Sequence, residues 1–90
     1  MEIQPGATAE LAVTVTPELT AHAMGNVGVH VYATPYLVCL LEDVAAAVIT
    51  PHLPAGAGTV GTFVEMRHLA ATPVGMTVRA RATLLETDGR

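Results

Sequence analysis

The sequence predicts an α+β domain in which one long apolar helix packs on an antiparallel sheet. Three observations favour this class: two segments with alternating apolar and polar residues, one long apolar segment with a helix-start signal, and an apolar composition. Of the 90 residues, 51% are hydrophobic and only 13% are charged. Disordered chains show the opposite balance. A chain this short is expected to form a single domain over residues 1–90.

The first strand is predicted at residues 9–16, where apolar and polar side chains alternate. Pro17 follows directly and ends the strand. Residues 20–30 contain two glycines and an asparagine, which predicts a loop. A short extended piece is predicted at residues 29–33.

The helix is predicted to begin at Thr34 and Pro35. Threonine is a favoured N-cap, and proline at the first helical position has no amide hydrogen to leave unpaired. Between residues 36 and 49 the only charged side chains are those of Glu42 and Asp43. Because the helix is apolar on nearly every side, it is expected to be buried.

A membrane span is the alternative interpretation of this segment, since residues 31–50 make a stretch of 20. Two carboxylates at its midpoint, each costing about 2.5–3.5 kcal/mol on insertion scales, argue strongly against it. Pro51 and the glycine- and proline-containing residues 54–58 are expected to stop the helix and form a loop.

Two further strands are predicted after the helix. The first spans residues 59–71, and residues 72–75 form a tight turn because Pro73 and Gly75 occupy positions typical of a reversal. The second strand spans residues 76–84, where apolar and polar residues alternate again. Asp88 and the glycine after it predict a further hairpin turn. C-terminal strands of the sheet are expected to follow that turn and to be missing from residues 1–90.

Absences in the composition exclude several function classes. The chain has no lysine and no serine, which excludes serine hydrolases, Schiff-base lysines and phosphate-binding loops that use lysine. A net charge of −4 without a basic stretch makes nucleic-acid binding improbable. One cysteine, Cys39, forms no internal disulfide and fits a reducing cytoplasm. No secretory signal is visible at the N-terminus.

Glu42 and His68 are the first two candidates for chemistry. Glu42 interrupts a helix predicted to be buried, where an unpaired carboxylate is costly. The alternative is that it faces a wet edge. His68 falls on the apolar face of its predicted strand, and a lone inward histidine is more often a core residue than a catalyst. A carboxylate and an imidazole facing each other across a helix–sheet interface would make a general base or nucleophile.

Thr34 is the third candidate, although its role as an N-cap is sufficient by itself. A helix N-terminus also offers free amides to a carbonyl oxygen that gains negative charge. The other histidines, His22, His30 and His52, have no ligand spacing and are interpreted as surface residues. Cys39 is interpreted as a small buried hydrophobe. No metal or cofactor is expected.

Together these residues resemble the hotdog-fold thioesterases related to fluoroacetyl-CoA thioesterase. The resemblance is carried by Thr34 followed by Glu42 eight residues later, by the stretch from Gly61 to His68, and by the Ala-Ala-Thr-Pro-Val-Gly sequence of residues 70–75. It covers roughly residues 10 to 90. The family fold wraps a curved antiparallel sheet around a long helix, and two such units pair with active sites at the interface.

The resemblance implies hydrolysis of a small acyl-CoA thioester. It assigns Glu42 as nucleophile or general base, His68 as the residue that moves protons, Thr34 as a hydrogen-bonding and positioning residue, and Gly61 as a substrate neighbour. The phenylalanine-bearing lid that recognises a fluorinated acyl group has no match in residues 20–30, so fluoroacetate specificity does not carry over.

The predicted helix sets a geometric condition on this site. Thr34 and Glu42 lie about 12 Å apart along one helix, so they cannot bond directly if the helix starts at Pro35. Either the helix begins later, or His68 of one subunit meets Thr34 or Glu42 of another in a homodimer. Alternatives to the enzyme are a non-catalytic acyl-binding or dimerisation module and, less favoured, a hotdog dehydratase. The protein is expected in the cytoplasm without a nucleic-acid or membrane partner.

Overall fold

The structure, a computed structural model, describes residues 3–88. One α-helix and a pair of strands make up its regular architecture, with short 3₁₀ turns after the first strand and after the helix. In chain order these elements are β1 (Thr8–Thr14), a 3₁₀ turn (Pro17–Leu19), α1 (Thr34–Ile49), a 3₁₀ turn (Thr50–His52) and β2 (Thr77–Thr83). The α+β prediction is therefore confirmed.

Strands β1 and β2 form an antiparallel ladder although about 60 residues separate them. Its register pairs Thr8 with Thr83 and Thr14 with Thr77. The strand predicted at residues 76–84 contains β2, whereas β1 begins one residue before and ends two residues before the predicted range 9–16. The amide of Val15 still donates to the carbonyl of Met76 at 2.8 Å, which extends the pairing beyond the ladder.

The core lies between α1 and this ladder. Leu40, Val44 and Val48 are the buried residues of the helix, spaced four apart, so they form one stripe along the same face. Ala80 of β2 is buried against Leu40 and Val44. Its small side chain allows the helix and the sheet to approach closely, and half-buried Val13 and Val78 pack around the contact.

Helix α1 begins one residue earlier than predicted. Ala33 is the N-cap and Thr34 is the first helical residue, with no side-chain hydrogen bond at the cap. The N-cap role expected of Thr34 is therefore wrong, because its hydroxyl is engaged elsewhere. The Tyr32 hydroxyl instead donates to the carbonyl of Tyr36 at 3.1 Å, which ties the preceding chain to the first turn.

Burial changes the titration of one group near this first turn. Tyr32 is buried, and desolvation raises the pKa of its phenol, with a smaller contribution from the nearby Cys39. Cys39 itself is exposed, so the prediction that it is a small core residue is wrong. Cys39 lies on the side of α1 that the sheet does not cover.

Residues 59–69, named here the 59–69 segment, contradict the strand predicted at residues 59–71. Within the described chain this segment belongs to no ladder. A strand needs a neighbouring edge to satisfy its backbone groups, and β1 and β2 pair only with each other. Val60, Phe63 and Leu69 are each more than four-fifths exposed.

The predicted side-chain alternation nevertheless persists at the end of this segment. Met66 and His68 are half-buried, whereas Glu65, Arg67 and Leu69 between and around them are exposed. His68, predicted to face inward, is half-buried, whereas Val60, Thr62 and Val64 of the same predicted face are exposed.

The turn predicted at residues 72–75 is confirmed. Gly75 adopts a φ of +93°, a conformation that favours glycine, and its amide donates to the carbonyl of Val15 at 2.8 Å. Val31 forms an isolated bridge with Pro73, and Thr20 forms one with Tyr32, which confirms the short extended piece before α1. The hairpin turn predicted after Asp88 lies outside the described residues.

Residues Thr34–His52 are long and apolar enough to cross a membrane by length and composition alone. In this structure, the buried stripe of that helix packs on β1 and β2. The core of the fold therefore depends on one face of α1.

Truncating this stripe should destabilise the whole fold. Leu40→Ala is expected to lower the free energy of unfolding by about 2–5 kcal/mol, because it leaves a cavity against Ala80. The matched control is Leu85→Ala, where the side chain is 82% exposed and the loss should stay within about 0.5 kcal/mol. Urea denaturation of the two variants measures the difference, and equal losses would contradict the described core.

Candidate functional site

Glu42 lies on the face of α1 that the sheet leaves uncovered. It is two positions from both Leu40 and Val44, which places it about 160–200° around the helix from the buried stripe. Its side chain is exposed, so the expectation of a buried carboxylate is wrong for the described chain. A two-strand sheet covers one side of a helix, and Glu42 is on the other side.

Gly61 passes directly beside this carboxylate. A Cβ atom built on Gly61 would lie 3.4 Å from the Glu42 Oε1 atom. A larger side chain at this position would therefore cover the carboxylate oxygen. Glycine brings the backbone of the 59–69 segment close to Glu42 and still leaves the oxygen open.

Thr34 and His68 form a second contact between the same two parts of the chain. The Thr34 Oγ1 atom lies 2.8 Å from the His68 Nδ1 atom, a short hydrogen bond between residues that are 34 positions apart. The direction of the bond depends on the histidine tautomer. When the Nε2 atom carries the proton, the threonine hydroxyl donates to Nδ1, and Nε2–H is available as a donor.

The four residues predicted for the site thus come together as two pairs. The Thr34–His68 pair lies at the N-terminal end of α1, and the Glu42–Gly61 pair lies further along the helix. Thr34 and Glu42 are separated by about 12 Å along the helix axis. No hydrogen bond links Glu42 to Thr34 or His68 within the described chain.

The helix begins at Thr34, so the option of a later helix start is wrong. Thr34 meets His68 of its own chain rather than that of a second unit.

A groove of about 610 Å³ opens between α1 and the 59–69 segment. Glu42 and Gly61 line one part of it, and Ile49 and Thr59 line another. The sequence analysis missed this groove. One sequence feature could have indicated the groove. It is the spacing of Glu42, Ala45, Ala46 and Ile49, which places these residues on one face of a helix.

A larger cavity of about 860 Å³ lies elsewhere, near Leu53 and Leu84. None of the four predicted site residues lines it. Glu42 and Gly61 line the smaller groove, whereas Thr34 and His68 line neither of the two.

The remaining histidines lie apart from this region. The rings of His22 and His30 are in contact, with centroids 4.2 Å apart, and the amide of Gly28 donates to the His22 Nδ1 atom at 2.9 Å. Both histidines and His52 are exposed, as predicted. Among residues 3–88, no group of three His, Cys, Asp or Glu side chains is arranged to hold a metal ion.

Comparisons with known proteins give consistent results. The family model described as fluoroacetyl-CoA-specific thioesterase, FlK, matches residues 15–90. A curated fluoroacetyl-CoA thioesterase from Streptantibioticus cattleyicolor is 40% identical over 60 residues, a match that covers 67% of this chain and 43% of that protein. The match therefore spans less than half the length of that curated relative.

Two solved structures resemble the whole fold. A crystal structure of FlK superposes with a TM-score of 0.90 at 29% identity, covering 100% of this chain and 71% of that one. A thioesterase superfamily member from Thermus thermophilus superposes with a TM-score of 0.85 at 38% identity, covering 98% of this chain and 65% of that one. The α1 and β1–β2 arrangement is thus that of a hotdog fold.

The contact at Gly61 predicts how two glycines respond to the same substitution. Gly61→Ala should keep or slightly raise the melting temperature, because its backbone is not left-handed and the added Cβ makes an ordinary contact at 3.4 Å. Gly75→Ala, the matched control, should cost about 1 kcal/mol or more, because φ is +93° there. Thermal denaturation of both variants measures this, and a larger loss at Gly61 would contradict the described contact.

Proposed function

Because the chain belongs to the fluoroacetyl-CoA-specific thioesterase family, we propose that it hydrolyses a small acyl-CoA thioester to the free acid and CoA. Membership confirms the resemblance carried by Thr34, Glu42 and the stretch from Gly61 to His68. The observation that carries the proposal is the 2.8 Å hydrogen bond between Thr34 and His68, since it unites two of the three residues to which the resemblance assigns catalysis.

Glu42 is proposed as the group that starts the reaction. Its exposed carboxylate lies beside Gly61, where the backbone leaves room for a thioester carbonyl. As a general base it takes a proton from water, which attacks the carbonyl carbon. As a nucleophile it attacks that carbon itself and forms an anhydride that water then hydrolyses. In both routes the carbon–sulfur bond breaks and the thiolate leaves.

His68 is proposed to donate its Nε2 proton to the departing thiolate, and the proton released by the attacking water restores the neutral imidazole. In the tautomer with the proton on Nε2, the Thr34 hydroxyl donates to Nδ1. Thr34 thereby positions the imidazole with Nε2 as the donor. The N-terminal end of the α1 dipole adds a positive potential beside this pair.

The separation of the two pairs supports a site shared between two subunits. Within one chain Glu42 is about 12 Å along the helix from the level of Thr34 and His68. In a two-fold dimer with the exposed faces of α1 side by side, Glu42 of the partner subunit approaches the Thr34–His68 pair. The exposed apolar side chains of Val60 and Phe63 give such a dimer surface to bury.

The substrate class is proposed from the relatives. Structures of FlK are described with fluoroacetate and CoA and with acetyl-CoA. For this chain we propose an acyl-CoA in general. A location in the cytoplasm and the absence of nucleic-acid and membrane partners stay predictions.

Removing either proposed reactive group should abolish hydrolysis without unfolding the protein. Glu42→Gln keeps the side-chain volume and is expected to lose nearly all turnover. His68→Ala is expected to lose about 10²–10⁴-fold, the usual contribution of a proton-transfer residue. Release of free CoA thiol from acetyl-, butyryl- and octanoyl-CoA, followed with a thiol reagent, measures both.

The matched controls are Glu10→Gln and His52→Ala, which change the same residue types at exposed positions away from the groove. Both should keep wild-type turnover. Full activity in Glu42→Gln and His68→Ala would show that the site assignment is wrong. Failure of the wild-type protein to release thiol from any of the three substrates would refute the enzyme and favour the acyl-binding module.

A shared site predicts complementation between two inactive variants. Mixed dimers of Glu42→Gln and His68→Ala subunits, purified through two different tags, should recover about half of wild-type activity because one of the two sites is intact. A site confined to one chain predicts no recovery. Sedimentation at micromolar concentration provides the independent readout, and a monodisperse monomer of 9.3 kDa would exclude the shared site.

A further inference from the structure

We propose that the paired imidazoles of His22 and His30 form a pH-sensitive latch on the loop that precedes α1. The latch holds the tip of this loop closed while both rings are neutral and releases it when the rings gain protons. It is a conformational device of this chain and is independent of the proposed hydrolysis. Three observations carry it: a ring contact, a hydrogen bond that only a neutral His22 accepts, and surroundings with few other charges.

The loop before α1 is a hairpin of residues 20–32, named here the 20–32 hairpin. The bridge between Thr20 and Tyr32 closes its base, and both of these residues are buried. The same antiparallel register places His22 opposite His30, two residues closer to the tip. Cross-strand neighbours project from the same side, so the two rings meet, with centroids 4.2 Å apart and planes inclined by 30°.

A hydrogen bond from the tip of the hairpin fixes the protonation state of one ring. The amide of Gly28 donates to the His22 Nδ1 atom at 2.9 Å. Because the backbone amide supplies the hydrogen, Nδ1 must supply a lone pair and carries no proton itself. His22 is therefore neutral, with its proton on Nε2, whenever this bond is present. Gly28 has a φ of +90°, a backbone conformation that favours glycine.

Protonation of the rings removes this bond and adds a repulsion. A proton on the His22 Nδ1 atom turns the acceptor into a donor, which then faces the donor N–H of Gly28. When His30 is also protonated, two positive rings stand 4.2 Å apart and repel each other. Histidine is the side chain whose charge ordinarily changes between about pH 5 and 8. The tip is therefore expected to open as the pH falls through this range.

The surroundings of the two rings contain few other charged or titratable groups. The hairpin and the elements packed against its base contribute Glu18, Tyr32, Tyr36, Cys39 and His68. Hydrogen bonds to its own amide and to Thr16 lower the pKa of Glu18, so this carboxylate stays charged throughout the range. His68 is engaged at the start of α1. Within residues 3–88, no hydrogen bond or ion pair joins any of these groups to His22 or His30.

The base of the hairpin is held by groups that do not titrate. The amide of Ala21 donates to the carbonyl of Val31 at 2.9 Å, and the amide of Tyr32 donates to the carbonyl of Thr72 at 2.8 Å. Backbone amides and carbonyls keep these bonds at any pH in the range. The release is therefore confined to the tip, residues 22–30, and the connection to α1 stays in place.

Amide hydrogen exchange of the wild-type protein, followed by NMR at about pH 7.5 and about pH 5, tests the latch. Each rate is divided by the rate of an unstructured peptide at the same pH, so that only protection by structure remains. The protection of the Gly28 amide should fall at least about fivefold at the lower pH, the usual effect of one hydrogen bond on an equilibrium constant. The protection of the Ala21 and Tyr32 amides should change by less than about twofold.

Histidine variants separate the two parts of the latch. His22→Asn keeps an acceptor, because the asparagine Oδ1 atom takes the place of Nδ1 and does not titrate, so Gly28 protection should be equal at both pH values. His22→Ala lacks the acceptor and should show low protection at both. His30→Asn removes only the second charge, so the loss at the lower pH should be smaller than in the wild type. His52→Asn, at an exposed position outside the hairpin, is the matched control and should respond as the wild type does.

Three results would overturn the inference. Gly28 protection that is the same at both pH values in the wild type would show that the rings hold no latch. A loss that persists in His22→Asn would assign the pH response to another group. An equal loss at Ala21 and Tyr32 would show that the proton destabilises the base of the hairpin as well. If His22→Ala fails to fold, the comparison of the wild type with His22→Asn decides alone.

Discussion

The packing of one face of α1 on the β1–β2 ladder is the constraint on which the rest of the structure depends. The buried stripe of the helix consists of Leu40, Val44 and Val48. Ala80 of β2 packs against this stripe. Once this face is used, the helical repeat requires Glu42 to point away from the sheet. The position of the carboxylate is therefore a consequence of core packing, and no separate interaction is needed to expose it.

The 59–69 segment completes the site without belonging to the core. Burial alternates only at its end, over residues 65–69, and no strand pairs with it in the described chain. Two contacts hold it to the helix: the Thr34–His68 hydrogen bond and the close approach of Gly61 to Glu42. Its exposed apolar side chains are costly for an isolated subunit, because they leave a surface that association would bury. The same segment thus connects the chemistry with the proposed dimer.

Much of the local structure could be predicted because it depends on neighbours in the sequence. Alternation located β1 and β2, and the Thr-Pro start located α1 to within one residue. The resemblance of Thr34, Glu42, Gly61 and His68 to a thioesterase family identified the residues that the structure brings together. The errors concern interactions between distant residues. The hydroxyl of Thr34 was expected to cap the helix, but it bonds to His68, and Cys39 was expected in a core that does not extend to its side of the helix.

By itself, the sequence determined the α+β class, the positions of β1, α1 and β2 to within two residues, the turn at Gly75 and the family. These depend on periodicity, on backbone preferences and on residue identities, all of which are local. The tertiary structure alone decided that Glu42 is exposed, that Thr34 pairs with His68 of the same chain, and that a groove runs along the alanines of α1. Each of these depends on which face of the helix the sheet covers. An apolar helix offers several similar faces, so only the packing of β1 and β2 selects one.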